Sequence, residues 1–218
     1  MNVMPEQAPP PVRTPAYEQA MQDYQNENSH KLLRLLAGAE GNIKNGKVIY
    51  NQSFGGARFQ VGGDHPRKIY GTNLKSDAAG PYQFLSTSWD ERKKLLGVSK
   101  FTEKNQDLAA LNAIRSRGVD PTKPITREAI AKLAPEWASL PTLSGNSYYG
   151  QPVKNWKQLM GFYNSKDPDY ARVEKAIKSP TGLADIYRDA NPNPKFTGPQ
   201  ELQIWNPKDW SKMLKIFQ

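Results

Sequence analysis

Glu40 is the side chain of this sequence whose surroundings best suit acid chemistry. It follows an apolar helical run, Leu35 to Ala39, and precedes Gly41, a residue that often ends helices. A helix C-terminus carries partial negative charge, and apolar neighbours also disfavour an ionised carboxylate. Both effects favour the protonated form, which a general acid needs in order to protonate a leaving group. The alternative, an ordinary solvated glutamate, stays open at this level.

The sequence contains few of the residues that other kinds of catalytic centre require. The chain has no cysteine and only two histidines, His30 and His65, which excludes disulfides, thiolate nucleophiles and zinc-thiolate sites and disfavours a histidine-rich metal site. We therefore predict no metal and no cofactor, and we expect any catalysis to use carboxylates, hydroxyls or amides.

The charge of the chain indicates an anionic partner without specifying it. The 218 residues carry 30 Lys and Arg against 21 Asp and Glu, a formal net charge of +9. Such a field attracts nucleic acid, anionic lipid or an acidic wall polymer. No basic helix with interleaved aromatics, finger motif or phosphate loop appears, so we predict no specific nucleic-acid partner. No apolar run of about 20 residues and no signal peptide are apparent, so we expect no membrane span.

The elements that must position Glu40 are mostly helical. Apolar spacing and end signals predict seven helices, over residues 31–40, 86–96, 102–117, 126–133, 155–163, 170–177 and 207–217. Residues 42–75 are rich in Gly and Asn, with β-prone pieces at 48–50 and 57–61, which indicates a small irregular sheet region. The predicted class is α+β.

Two flanking segments differ from the centre of the chain. Residues 1–29 contain a proline run and few apolar side chains, which predicts a Pro-rich extended arm. Residues 165–218 carry several aromatic residues and predict a helical C-terminal extension. The predicted organisation is therefore an arm (1–29), a central catalytic domain (30–164) and an extension (165–218).

Eight separate segments between residues 30 and 160 form an ordered series of motifs. They are Leu-Ala-Gly-Ala-Glu-Gly at 36–41, Tyr-Asn-Gln-Ser-Phe-Gly-Gly at 50–56, Asp-His-Pro-Arg-Lys at 64–68, Ala-Gly-Pro-Tyr-Gln-Phe-Leu-Ser at 79–86, Ser-Trp-Asp at 88–90, Gln-Asp-Leu-Ala at 106–109, Trp-Ala-Ser-Leu-Pro at 137–141 and Tyr-Gly-Gln at 149–151. In this order they resemble the phage lambda lysozyme family of lytic transglycosylases.

This resemblance implies a lysozyme-like domain that cleaves peptidoglycan between N-acetylmuramic acid and N-acetylglucosamine without adding water. Glu40 falls on the family's catalytic acid. It would protonate the glycosidic oxygen and then, as a base, take the proton of the muramic C6 hydroxyl, which closes a 1,6-anhydro ring. That mechanism requires no second carboxylate.

Ordinary glycoside hydrolysis, by contrast, uses two carboxylates about 5 to 9.5 Å apart. The candidates for a second one are Asp64 and Asp77, and both are more simply interpreted as turn or cap residues. At Asn51 the sequence departs from the lambda pattern, which has an acid after the tyrosine. Asn51 can hydrogen-bond a substrate but cannot act as a nucleophile or base.

Aromatic faces and amides usually hold sugar chains, and the matching motifs supply some. We predict that Tyr82, Gln83, Tyr149, Gln151 and Asn51 bind substrate, although for Tyr82 a core position and for Gln83 a bracing role remain alternatives. Phe84, Trp89 and Trp137 are predicted to lie in the core and His65 to brace a turn.

The function expected from the resemblance is a phage-encoded peptidoglycan lytic transglycosylase that acts on the bacterial cell wall, either as an endolysin or within a virion. The two flanking segments are candidates for docking to other virion proteins. Two alternatives remain open: a hydrolytic muramidase, and a structural or wall-binding virion protein with little activity.

Overall fold

The computed structural model describes residues 14–166 as helices around a small β region. The helices are α1 Pro15–Tyr24, α2 Glu27–Ala39, α3 Ser86–Leu96, α4 Glu103–Ser116, α5 Arg127–Leu133 and α6 Trp156–Tyr163. The strands are β1 Ile43–Lys44 and β2 Lys47–Val48, and a short 3-10 turn spans Phe54–Gly56. The predicted α+β class is confirmed, and helices α3 to α6 match the sequence-based bounds within one residue. The helices predicted at 170–177 and 207–217 lie outside the described residues.

Helix α2 begins earlier than predicted. Its N-cap is Asn26, whose side chain accepts the backbone N–H of Asn28, whereas Ser29 lies buried within the first helical turns. From there the apolar spacing holds: Leu32, Leu35 and Leu36 are almost fully buried. The C-terminal end of this helix therefore lies in the core of the domain, and Glu40 is the next residue of the chain.

Residues 15–29 are not an extended arm, and that part of the prediction is wrong. They form α1 and the start of α2, and α1 packs against α4 and α3. Thr14 caps α1 by accepting the backbone N–H of Tyr17, and its hydroxyl donates to the carbonyl of Leu95. Residues 1–13 lie outside the described range.

Helix α1 is anchored to the domain by a buried ion pair, which the low apolar content of this segment does not reveal. Asp23 on α1 is only 1% exposed and accepts hydrogen bonds from Nε and Nη2 of Arg115 on α4, at 2.8 and 2.6 Å. Together with buried Ala20 and Met21, this pair gives α1 an inner face that a count of apolar residues does not reveal. None of the helices in residues 14–166 is long and apolar enough to cross a membrane.

The β region consists of one short hairpin followed by irregular chain. Strands β1 and β2 are antiparallel, and Ile43 pairs with Val48. The turn residues Asn45 and Gly46 have φ angles of 52° and 78°, which suits a two-residue hairpin turn. The piece predicted at 57–61 contains no strand, and only Arg58 forms a single bridge, with Gln52. Later bridges join residues 53 and 84 to residue 79.

Gly38 on α2 makes the close approach of α6 possible. A Cβ atom at this position would overlap the ring of Phe162, so Gly38→Ala should lower the free energy of unfolding by about 1–3 kcal/mol through overpacking. Gly161→Ala on α6 is the matched control, because a Cβ there meets no other atom and alanine is the better helix former. It should stabilise by about 0.5–1 kcal/mol. Urea unfolding of the three proteins measures both changes, and equal effects would contradict this packing.

Candidate active site

Glu40 forms the C-cap of α2, and its side chain is half-buried. Its Oε1 accepts a hydrogen bond of 2.6 Å from the hydroxyl of Ser139. Burial raises the pKa of the Glu40 carboxyl above its ordinary value, while the Ser139 hydrogen bond and the positive charge of Lys154 oppose that rise. The direction agrees with the argument made from the local sequence. The site thus holds a carboxyl group biased toward the protonated form.

Ser139 is held in place by contacts on both sides of it. The indole Nε1 of Trp137 donates to the carbonyl of Tyr82 at 3.1 Å, and the backbone N–H of Lys154 donates to the carbonyl of Ser139 at 2.9 Å. These bonds tie the chain after α5 to two other segments. These backbone contacts fix the position of Ser139, and with it the hydroxyl that donates to Glu40.

An amide network joins the end of α2 to the β region. Nδ2 of Asn42 lies 3.3 Å from the carbonyl of Gly80 and 3.2 Å from that of Pro81, and Nε2 of Gln52 donates to Oδ1 of Asn42 at 2.7 Å. Gln83 donates through Nε2 to the carbonyl of Gly80 at 2.8 Å. Asn42 is almost fully buried, so this network fixes the segments around Glu40 rather than offering groups to solvent.

The predicted substrate-binding residues divide into different environments. Tyr82 is 2% exposed, and its hydroxyl donates to Oδ1 of Asp107 at 2.5 Å. The prediction that Tyr82 contacts substrate is therefore wrong, because a buried carboxylate holds its polar end in the core. Gln83 is partly buried and takes the bracing role described above.

The other three predicted residues remain accessible. Tyr149 is 59% exposed, and its hydroxyl donates to the carbonyl of Pro135 at 2.7 Å, while its ring meets that of Tyr148 edge to face. Gln151 is exposed on the same loop. Oδ1 of Asn51 accepts from Arg58 at 2.8 Å. None of these side chains hydrogen-bonds Glu40, so their binding role stays a prediction.

Asp64 is fully engaged in structural bonds. Its Oδ1 accepts from the backbone N–H of His65 and from Trp89, and its Oδ2 accepts from Arg67 and Lys93. Although partial burial acts in the opposite direction, these hydrogen bonds hold the pKa of Asp64 below its ordinary value. Asp64 is therefore an ionised structural acceptor, as the turn interpretation predicts.

Asp77 also has a structural contact, since its Oδ1 lies 3.4 Å from the backbone N of Ser86 at the start of α3. The predicted core positions of Phe84, Trp89 and Trp137 are confirmed by their burial. His65 braces the turn as expected: its ring bonds the carbonyl of Phe84 and accepts the backbone N–H of Arg67.

Sequence reasoning assigned no role to Ser139 and Lys154, which act on the Glu40 carboxyl, or to Asn42 and Gln52, which hold the chain next to it. Arg92 on α3 is buried and donates to Oδ1 of Asn112. Asn42 lies only two residues after Glu40, so its position could have signalled a role. Within residues 14–166 no three His, Asp or Glu side chains come together as a metal site.

Ser139→Ala should move the pH dependence of catalysis. Loss of the hydroxyl removes a bond that stabilises the Glu40 carboxylate, so the pKa of Glu40 should rise further. The alkaline limb of the profile, where the acid loses its proton, should therefore move to higher pH. Steady-state rates across pH measure this shift, and Ser99→Ala, an exposed serine, is the control. A profile unchanged by Ser139→Ala would contradict the role of this bond.

Comparison with solved structures identifies the fold. The described fold matches a structure of bacteriophage lambda lysozyme complexed with a chitohexasaccharide, at 36% identity and a TM-score of 0.57, over 63% of this chain and 92% of that one. A second structure, lysozyme from bacteriophage lambda, matches at 33% identity and a TM-score of 0.53, over 63% of this chain and 90% of that one. The fold is lysozyme-like.

Sequence comparison gives the family. An endolysin family model matches residues 30–168, and the chain is 38% identical over 134 residues to the endolysin of Escherichia phage lambda, covering 58% of this chain and 82% of the relative. The endolysin of Escherichia phage P2 is 33% identical over 98 residues, 44% of this chain and 57% of the relative. The chain therefore belongs to the endolysin family, whose members are lysozyme-like enzymes that degrade peptidoglycan.

Proposed function

We propose that this endolysin is a lytic transglycosylase that cleaves the β-1,4 bond between N-acetylmuramic acid and N-acetylglucosamine. The observation that carries the proposal is the state of Glu40, a half-buried carboxyl group whose pKa is raised and which has Ser139 as its hydrogen-bonding side chain. A carboxyl of this kind can give a proton in one step and take one back in the next.

In the proposed reaction Glu40 first protonates the glycosidic oxygen, and the bond between that oxygen and C1 of the muramic residue breaks. Glu40 is then a carboxylate, and the Ser139 hydroxyl stabilises its charge. The carboxylate takes the proton of the C6 hydroxyl, whose oxygen bonds to C1. The product is a 1,6-anhydro ring, and no water is consumed.

The disposition of the other carboxylates supports this route over hydrolysis. A hydrolase of the two-carboxylate type needs a second acid beside the bond, to bind C1 or to activate water. Both carboxylate oxygens of Asp64 already accept hydrogen bonds, from four donors in total. Asp77 contacts the start of α3. The residue after Tyr50 is Asn51, whose amide cannot serve as the second acid. A carbohydrate substrate is supported by the chitohexasaccharide bound in the lambda lysozyme structure.

Digestion of purified peptidoglycan in water enriched in heavy oxygen tests the reaction type. A transglycosylase leaves no solvent oxygen on the new muramic ends, whereas a hydrolytic muramidase places one heavy oxygen on each. Mass spectrometry of the released fragments measures the difference. Incorporation at every new end would contradict the proposal, and the absence of any release would favour a structural or wall-binding protein.

We also propose that the enzyme acts on the wall in the periplasm, reached from a virion or from inside the infected cell, and that the segments outside the described fold dock it to virion proteins. Because α1 belongs to the fold, the docking test should delete residues 1–13 only. That deletion should leave wall digestion intact and reduce incorporation into particles. Unchanged incorporation would remove the N-terminal segment from the proposal.

A further inference from the structure

A cavity of about 590 Å³ lies beside the hairpin that follows Glu40. Its lining combines apolar side chains with charged and polar ones. The apolar ones are Val48, Ile49 and Val61, and the charged and polar ones include Lys44, Lys47, Tyr50, Asn51, Arg58 and Glu103. Three cationic side chains against one carboxylate leave the cavity net positive. Among residues 14–166, neither Lys44 nor Arg58 lies within salt-bridge distance of a carboxylate.

Contacts from the rest of the domain hold the walls of this cavity. Arg34 donates through Nη2 to the carbonyl of Gly46 at 2.7 Å, which fixes the hairpin turn. The backbone N–H of Ile49 donates to the carbonyl of Asn42 at 2.9 Å. On the other wall, the guanidinium of Arg58 donates to Asn51 at 2.8 Å, which orients the charged group. The cations are therefore presented by a defined frame.

The cavity lies close to Glu40 along the chain, since its first lining residue is Lys44. Lys44 follows Glu40 by four residues, so their Cα atoms are at most about 14 Å apart. A tripeptide in extended form spans about 10 Å. A short peptide attached to a sugar at Glu40 is therefore comparable in length with the largest possible separation of Glu40 from Lys44, the first lysine of the cavity.

We propose that this cavity, the Lys44–Arg58 cavity, binds carboxylates of the stem peptide carried by the muramic acid next to the cleaved bond. The inference rests on the proposed function, since that is what places a muramic residue at Glu40. The glycan strand of peptidoglycan is essentially uncharged, and its anionic groups are the carboxylates of its peptides. Lys44 and Arg58 supply the matching cations, and Arg58 can bind a carboxylate through two parallel N–H groups.

The test compares two substrates prepared from one batch of peptidoglycan: glycan strands that keep their stem peptides, and the same strands stripped of peptides by an amidase. Amide hydrolysis leaves a lactyl carboxylate on each muramic residue, so the comparison is between carboxylates carried out along the peptide and one held on the sugar itself. The measured quantity is the ratio of kcat/KM on the two substrates, with all broken glycosidic bonds counted. Wild type should prefer the peptide-bearing strands. Lys44→Gln combined with Arg58→Gln should lower that ratio about 5-fold, as expected for the loss of two accessible charge pairs.

A matched control separates local binding from long-range attraction. Lys94→Gln combined with Lys132→Gln removes the same charge from exposed helix positions outside the cavity, and should keep the wild-type ratio. Arg58→Lys keeps the charge and should retain most of the preference, and Lys44→Gln alone should lower it without touching the Asn51 contact. Each ratio is measured within one variant, so a partly unfolded preparation does not mimic the effect.

A wild-type ratio near one, or an equal fall in the control pair, would overturn the inference. Because the ratio counts all broken bonds, it does not depend on which product end forms. Failure of this inference is therefore distinguishable from failure of the proposed transglycosylase reaction, which the heavy-oxygen experiment tests separately.

Discussion

Glu40→Gln should lower kcat on peptidoglycan about 1,000-fold, the middle of the range for losing a general acid and base. An amide can neither protonate the glycosidic oxygen nor take the C6 proton. The fold should survive, because the amide oxygen can still accept the Ser139 hydroxyl that Oε1 accepts in the native protein. Turbidity loss of purified sacculi measures the rate.

The control for this variant is its thermal unfolding, which should resemble that of the wild type, and its binding to sacculi, which should persist. Glu40→Asp is a second useful variant, because it keeps a carboxyl group but shortens the side chain by one methylene. A misplacement of this size should lower kcat about 100-fold. If Glu40→Gln kept more than a tenth of wild-type activity, another residue would have to be the acid.

Asp23→Ala should have the largest effect on stability, lowering the free energy of unfolding by about 3 kcal/mol. The substitution leaves the Arg115 guanidinium without its bidentate partner against α1, where Asp23 is 1% exposed. The cost is moderated because Arg115 also pairs with Asp120 at 2.9 Å and is itself one-third exposed. Chemical denaturation with and without the substitution measures the loss.

Asp90→Ala is the matched control for the buried pair. Asp90 also pairs with an arginine, Arg67, but both side chains are more than 40% exposed, so the change in stability should be far smaller. Equal losses at Asp23 and Asp90 would show that α1 is not anchored through the buried pair. A large loss at Asp23 would instead explain why α1, which precedes the family match at residue 30, belongs to the folded domain.

The helices could be read from the sequence wherever local signals agree. Thr102, Thr126 and Asn155 cap α4, α5 and α6 through their side chains, and Gly97 ends α3 in a left-handed conformation. These interactions are between residues a few positions apart, so spacing alone reveals them. Helix α1 was not predicted because the contact that holds it joins Asp23 to Arg115, which are far apart in the sequence.

The same distinction applies to the candidate site. The setting of Glu40 followed from its neighbours in the chain, whereas Ser139 reaches it from 99 residues away and no local pattern predicts that contact. For Tyr82, by contrast, the local motif led to a wrong prediction. Its motif indicated a cleft, but the carboxylate of Asp107 accepts its hydroxyl in the core, as it also does that of Tyr50. Polar tips of aromatic residues take such partners when buried.

The most direct test of the central claim is the mass of the muramic ends that the enzyme leaves on purified peptidoglycan. The proposed role of Glu40 predicts fragments one water lighter than hydrolysis products, formed by the wild type and absent with Glu40→Gln. Muramic ends of full hydrolytic mass, formed by the wild type and lost with Glu40→Gln, would contradict it and assign Glu40 to a muramidase.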